Sequence, residues 1–131
     1  MLQSPYQAYQ KNSVQTATPG QLVIMLYDGA IKFTKAGMEG IRHKQYAVAN
    51  QNLKKAQSIV HELIASLNQE VAISKDLLRI YEYMLYCLIE ANIKKEPRHA
   101  EEVLNHLQDL REAWKQVIKQ GHASASAGGL I

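Results

Sequence analysis

The residues of this chain that could carry metal chemistry are a few histidines and glutamates around position 100. A metal centre in a helical bundle requires carboxylates that point into the core and Glu-x-x-His pairs on facing helices. One pair has this spacing, Glu96 with His99, and it lies across the start of a predicted helix. His99, Glu102 and His106 share a helical face that we place opposite the apolar stripe, in solvent. The sequence therefore predicts no metal site and no cofactor.

Nucleophilic and phosphate chemistry find no support in the sequence either. Cys87 is the only cysteine, which excludes an internal disulfide and a cysteine-based zinc cluster and suits a reducing compartment. Because Cys87 lies at the edge of an apolar helical stripe, we predict a buried structural thiol rather than a nucleophile. No glycine-rich loop joins a strand to a helix, so a phosphate cradle is not expected. We predict that the chain is not an enzyme.

Charge and hydropathy favour neither nucleic acid nor a membrane as a partner. The net charge of +3 arises from 15 basic and 12 acidic residues, which are interleaved along the chain without a like-charge block. No apolar run reaches membrane-spanning length, and the N-terminal residues lack the pattern of a signal peptide. We expect a cytoplasmic protein that binds no nucleic acid and does not insert into a membrane.

Four amphipathic segments account for most of the 131 residues. The first begins at a capping box, Thr18 with Gln21, and has Pro19 at its first helical position. The predicted helices cover residues 19–41, 45–67, 71 or 73 to 95, and 98–119. Since the connections are short, we predict an all-α fold, an antiparallel up-down four-helix bundle. The predicted domain limits are 1–17 for an N-terminal arm, 18–120 for the bundle domain and 121–131 for a disordered tail.

The first and third predicted helices carry more apolar surface than one core requires. Each has a second apolar stripe beside its core stripe, as judged from the 3.6-residue repeat. Part of this width is expected for a helix that contacts two neighbours, but a monomer that exposed the rest would tend to aggregate. We expect a partner helix, a second subunit or the chain's own tyrosine-bearing arm to cover it. The residues of interest are Val23, Tyr27 and Ile31 on the first helix, and Leu78, Leu85 and Ile89 on the third.

Several motifs occur together in a specific order. The chain reads Tyr9-x-x-Asn12-Ser13-Val14-x-Thr16-Ala17-Thr18-Pro19, then Leu22 and Met25-Leu26-Tyr27-Asp28-Gly29. Leu67-Asn68, L-L-R-I-Y-E-Y-M from Leu77, Ala91-Asn92 and Trp114 follow. This combination, which spans about residues 6–119, closely resembles the flagellin-specific export chaperones of the FliS family.

The resemblance implies a function without catalysis. Proteins of this family bind the disordered C-terminal region of flagellin, prevent its premature polymerisation and assist its delivery to the flagellar type III export apparatus. The client lies in hydrophobic grooves on the bundle, and the N-terminal arm can occupy part of a groove. The residues then expected to bind the client are Tyr9, Val14, Val23, Tyr27, Ile31, Leu78, Leu85 and Ile89. The residues expected to form the arm's own cover are Tyr6, Tyr9 and Val14.

Two other hypotheses remain open at this point. A self-associating structural bundle would pack its extra stripes against a second copy and have no client. A metal-binding bundle enzyme would need inward carboxylates and Glu-x-x-His pairs on facing helices. For the chaperone we expect a monomer or weak dimer that reaches export gate components through its complex with flagellin.

Overall fold

The computed structural model describes residues 17–120. These residues form four α-helices and no strand: α1 (Pro19–Arg42), α2 (Tyr46–Ala65), α3 (Ile73–Lys94) and α4 (Pro97–Lys119). The predicted all-α four-helix fold is confirmed, and each predicted helix end lies within about two residues of the observed one. Apart from Ala17, the predicted arm and the predicted tail lie outside the described residues.

The start of α1 follows from local chemistry. The backbone N–H of Thr18 donates to Oε1 of Gln21 at 2.9 Å, and the backbone N–H of Gln21 donates to Oγ1 of Thr18 at 3.2 Å. Pro19 occupies the first turn, where a helix has no acceptor for its N–H. The predicted capping box is thus formed, and it fixes where the helix begins.

The α2–α3 connection is closed by side chains rather than by a glycine. The backbone N–H of Glu70 donates to Oδ1 of Asn68 at 3.0 Å, and Oγ of Ser74 donates to the Asn68 carbonyl at 2.6 Å. Asparagine forms such turns because its short side chain reaches the backbone two residues on. These bonds place the start of α3 at Ile73, the second of the two predicted positions.

The helices are arranged in a ring. α1 packs against α2 and α4, and α3 packs against the same two helices. At Gly40 the backbones of α1 and α2 come close together, since an added Cβ would lie 2.8 Å from the backbone nitrogen of Ala49. Gly29, near the middle of α1, lies instead against Ile59, farther along α2. α1 and α2 are therefore antiparallel, as the short connection predicts. The contacts of Asn92 with Asn50, and of Tyr83 with Glu102 and Cys87 with His99, give the same relation for the two later pairs.

A chain of hydrogen bonds crosses the core between three helices. The hydroxyl oxygens of Tyr27 on α1 and Tyr81 on α3 are 2.7 Å apart, and Nε1 of Trp114 on α4 donates to the Tyr27 hydroxyl at 2.9 Å. All three side chains are buried. Burial raises the pKa of both tyrosine hydroxyls, so they stay neutral. The bonds link diagonal helices α1 and α3 and attach both to α4.

The first residues of α2 and α3 are exposed although they continue the apolar repeats of their helices. The side chains of both Tyr46 and Ile73 are exposed. Each is the first residue of its helix, so it lies at an end of the bundle, where fewer neighbouring turns are available to cover it. In residues 17–120, no helix combines the length and hydrophobicity needed to cross a bilayer.

Candidate functional site

The exposed large apolar side chains of the described chain are concentrated on α3. Five of the seven lie on this helix, and the other two, Tyr46 and Val48, lie on α2. Ile89 is 43% exposed and Ile93 is 71% exposed. Contact between apolar side chains and water is energetically unfavourable. Their clustering therefore marks a surface that a partner could cover.

One edge of α3 faces α2 along its length. Nδ2 of Asn92 donates to Oδ1 of Asn50 on α2 at 2.8 Å, which locates this edge. Leu85 and Leu78 precede Asn92 by one and two heptads, and residues one heptad apart lie on nearly the same face of a helix. Leu78, Leu85 and Asn92 are each half-buried. They line the α3 side of the surface where the two helices meet, which we call the α2–α3 groove.

The opposite side of the α2–α3 groove comes from α2. Gln57 and Ile64 follow Asn50 by one and two heptads, and all three are half-buried. Because the helices are antiparallel, Ile64 lies at the same end of the groove as Leu78, and Asn50 lies at the end of Asn92. The groove is therefore apolar at one end and carries a pair of amides at the other.

The α2–α3 groove continues outward onto the exposed surface of α3. Ile89 comes four residues after Leu85 and so lies beside it on the helix surface, and Ile93 comes four residues after Ile89. Tyr86 precedes Ile89 by three residues and is also exposed. A half-buried strip and an exposed strip thus adjoin along α3.

The structure brings together three of the residues that the sequence singled out and separates the others. Leu78, Leu85 and Ile89 share the α2–α3 groove and its outer edge. Ile31 is half-buried on α1, which is diagonal to α3 in the ring. The remaining calls on the arm, Tyr6, Tyr9 and Val14, lie outside the described residues.

Val23 and Tyr27 require a correction. Both were expected on an exposed second stripe of α1, but the structure buries both in the core. The physical reason is that α1 packs extensively against both α2 and α4, more than α3 does against the same helices, so two adjacent stripes of α1 lie inside. Tyr27 is held there by its bonds to Tyr81 and Trp114. Neither side chain can contact a partner unless the bundle opens.

A second hollow, which sequence reasoning missed, lies between the beginning of α1 and the end of α4. It has a volume of about 470 Å³, and its lining includes the apolar residues Ile24, Met25 and Ile118 together with Lys115 and Lys119. Ile31 follows Ile24 by one heptad and extends the same side of α1. That heptad was visible in the sequence, but its partner on α4 was not. We call this the α1–α4 hollow.

A third feature is the seam between α3 and α4. The Tyr83 hydroxyl donates to Oε1 of Glu102 at 2.6 Å, and the ring of His106 meets the Tyr83 ring edge-on with centroids 6.1 Å apart. The bond to Glu102 raises the pKa of Tyr83. His99, Glu102 and His106 are half-buried, which corrects their expected place in solvent. They lie on the flank of α4 that meets α3, not opposite the core.

The predicted burial of Cys87 is confirmed, and it lies at this same seam. Burial raises the pKa of its thiol. The possible ligand atoms of Cys87, His99 and Glu102 all lie within 4.8 Å of one another. Within residues 17–120 this is the group of side chains that could hold a metal ion.

Comparisons with known proteins agree on one family. The family model described as flagellar protein FliS matches residues 2–121. The chain is 41% identical over 130 residues to a flagellar secretion chaperone FliS of Bacillus subtilis, covering 99% of this chain and 98% of that protein. It is 30% identical over 127 residues to the Vibrio cholerae protein of the same name, covering 92% and 93%.

A similar fold occurs among solved structures. A crystal structure described as a flagellar chaperone from bacteria superposes with a TM-score of 0.74 and covers 88% of this chain and 95% of that one. The two sequences are 20% identical, so this likeness concerns the fold alone.

Proposed function

Because this chain belongs to the FliS family of flagellar proteins, we propose that it is a cytosolic export chaperone for flagellin. It binds the disordered C-terminal region of flagellin, prevents premature polymerisation and assists delivery to the flagellar type III export apparatus. The family consists of secretion chaperones, not enzymes. The metal-dependent enzyme is therefore set aside.

The observation that supports this proposal is the α2–α3 groove with its exposed outer edge. An amphipathic helix binds a partner by laying its apolar face into a groove between helices. From Leu78 to Asn92 the groove extends for about 21 Å, at 1.5 Å per residue, which matches roughly four turns of a bound helix. A disordered client segment that folds on binding would bury the side chains that α3 now exposes.

The groove also suggests what such a segment contains. Apolar side chains of the client would lie beside Ile64 and Leu78 and over Leu85 and Ile89. A polar side chain is favoured at the other end, because burying Asn50 and Asn92 under an apolar residue would leave their remaining donors and acceptors unpaired. We expect binding to be driven by apolar burial at one end and positioned by the amides at the other.

Replacing Ile89 by glutamate tests the groove. Ile89 is 43% exposed, so Ile89→Glu should change the free energy of unfolding by no more than about 0.5 kcal/mol. Loss of a side chain that is buried only in the complex removes roughly 1.5–3 kcal/mol. We therefore expect isothermal titration calorimetry with the C-terminal segment of flagellin to show about ten- to a hundredfold weaker binding.

Val48→Glu is the matched control. Val48 is also β-branched and 43% exposed, but it lies two residues before Asn50 on α2 and so about 200° around the helix from the groove. It should leave affinity unchanged. Equal losses in the two variants, or normal binding by Ile89→Glu, would remove the groove from the proposal.

A self-associating bundle with no client is the other function that an exposed apolar strip permits. Sedimentation of the chain over a range of concentrations separates the two. We expect a monomer or weak dimer that binds flagellin. An obligate dimer that persists on dilution, dissociates in Ile89→Glu and does not bind flagellin would favour the structural bundle.

A further inference from the structure

We propose that Cys87, His99 and Glu102 form a binding site for a zinc-type divalent cation at the α3–α4 seam. The site is separate from the α2–α3 groove and does not depend on the proposed chaperone function. Its three residues come from two helices, so a bound ion would connect α3 to α4.

The donor set suits zinc. Zn²⁺ binds cysteine sulfur, histidine nitrogen and glutamate oxygen, at about 2.0–2.3 Å. In a tetrahedron these bonds place the ligand atoms roughly 3.3–3.8 Å apart. The three atoms already lie within 4.8 Å of one another, so small side-chain rotations would bring them to a common ion. Three protein ligands leave a fourth position for water.

His99 supplies an independent observation. Its Nε2 atom is buried and has no hydrogen-bond partner among residues 17–120. A buried polar atom without a partner is destabilising, and such atoms are uncommon in folded proteins. Coordination of an ion shared with the Cys87 sulfur and the Glu102 carboxylate would give this nitrogen a partner.

The surroundings of Glu102 fit a ligand that is held in place. The Tyr83 hydroxyl donates to Oε1 of Glu102 at 2.6 Å, and a carboxylate has lone pairs on both oxygens, so Oε2 stays available. Hydrogen bonds of this kind orient metal ligands from outside. A cysteine ligand coordinates as the thiolate, so binding would form the sulfur–metal bond and release the thiol proton to solvent.

Cobalt titration of the full chain provides the direct test. Tetrahedral Co²⁺ bound to a thiolate gives a sulfur-to-cobalt charge-transfer band. Because Cys87 is the only cysteine, this band would show that Cys87 binds the ion. We expect one equivalent of Co²⁺ to bind and to produce this band, and Zn²⁺ to displace the cobalt. Zinc should also raise the melting temperature of the protein. Absence of the band in the unmodified chain would overturn the site.

Three variants complete the test. Cys87→Ser should lose the band, and Glu102→Gln should keep the fold and bind cobalt at least about tenfold more weakly, since losing a direct ligand costs no less than losing an outer partner of one. His61→Gln, which removes an exposed imidazole of α2, should bind as the unmodified chain does. Circular dichroism checks that each variant is helical. Unchanged affinity in Glu102→Gln, or a zinc-dependent rise in melting temperature that survives in both seam variants, would show that the metal is held elsewhere.

Discussion

At the scale of single residues, the Tyr27 hydroxyl has more partners than any other group in the core hydrogen-bond chain. It accepts from Trp114 and shares a bond with Tyr81, whereas the Tyr81 hydroxyl has Tyr27 as its partner. Tyr27→Phe would leave the buried Trp114 donor unpaired and isolate the Tyr81 hydroxyl. We expect the free energy of unfolding in urea to fall by about 2–6 kcal/mol, since two buried groups lose their partner and each costs about 1–3 kcal/mol.

Tyr81→Phe is the comparison for Tyr27→Phe. It also removes one buried tyrosine hydroxyl, but it leaves the hydrogen bond from Trp114 to Tyr27 intact. We expect a loss of about 0.5–1.5 kcal/mol, the usual net contribution of one hydrogen bond. Equal losses in the two variants would mean that Tyr27 does not organise the chain of bonds.

At the scale of helices, the packing of α1 on α2 depends on how close their backbones come. A Cβ at Gly40 would lie 2.8 Å from the Ala49 nitrogen and 3.0 Å from its Cα, so the two helices would have to separate. We expect Gly40→Ala to lower the free energy of unfolding by about 1–3 kcal/mol, as overpacking does. Urea denaturation monitored by circular dichroism measures this change.

Gly29→Ala is the control on the same helix. Its Cβ would meet only Cδ1 of Ile59, at 2.9 Å, and the end of that side chain can rotate away. Alanine also favours a helix over glycine by about 0.5–1 kcal/mol. We expect Gly29→Ala to be neutral or slightly stabilising. A loss as large as that of Gly40→Ala would argue that helix spacing is not the cause.

At the scale of the whole molecule, the α1–α4 hollow is the place where we propose that the N-terminal arm covers the bundle. The hollow adjoins the beginning of α1, to which the arm is joined directly, and Ile24 and Met25 line it. The local concentration of the arm side chains Tyr6, Tyr9 and Val14 near Ile24 and Met25 is therefore high. A chain lacking residues 1–14 should bind more of a hydrophobic dye, or self-associate more, than the full chain.

A chain lacking residues 121–131 is the control for this truncation. These residues are mostly small or polar, with Leu130 and Ile131 as the exceptions, so their removal should change neither dye fluorescence nor flagellin affinity. If removal of residues 1–14 likewise changes neither dye binding nor association state nor flagellin affinity, the arm does not cover the bundle.

The sequence by itself determined the local elements and the family. The capping box of Thr18 and Gln21, the four helix spans and the buried thiol of Cys87 depend on residues near one another along the chain or on apolar periodicity. The groove residues Leu78, Leu85 and Ile89 were visible for the same reason, because a heptad pattern records which residues share a helix face. The family follows from motifs that occur in a specific order along the chain, which does not depend on the fold.

Only the tertiary structure decided which apolar stripe faces inward. Periodicity gives the angle of a side chain around its own helix axis, but not how extensively neighbouring helices pack against that axis. α2 and α4 pack more extensively against α1 than against α3, so the second stripe of α1 is buried at Val23 and Tyr27, whereas α3 keeps Ile89 and Ile93 exposed. The same limit concealed the meeting of Cys87 with His99 and Glu102, since these residues lie on different helices and their proximity depends on how α3 packs against α4.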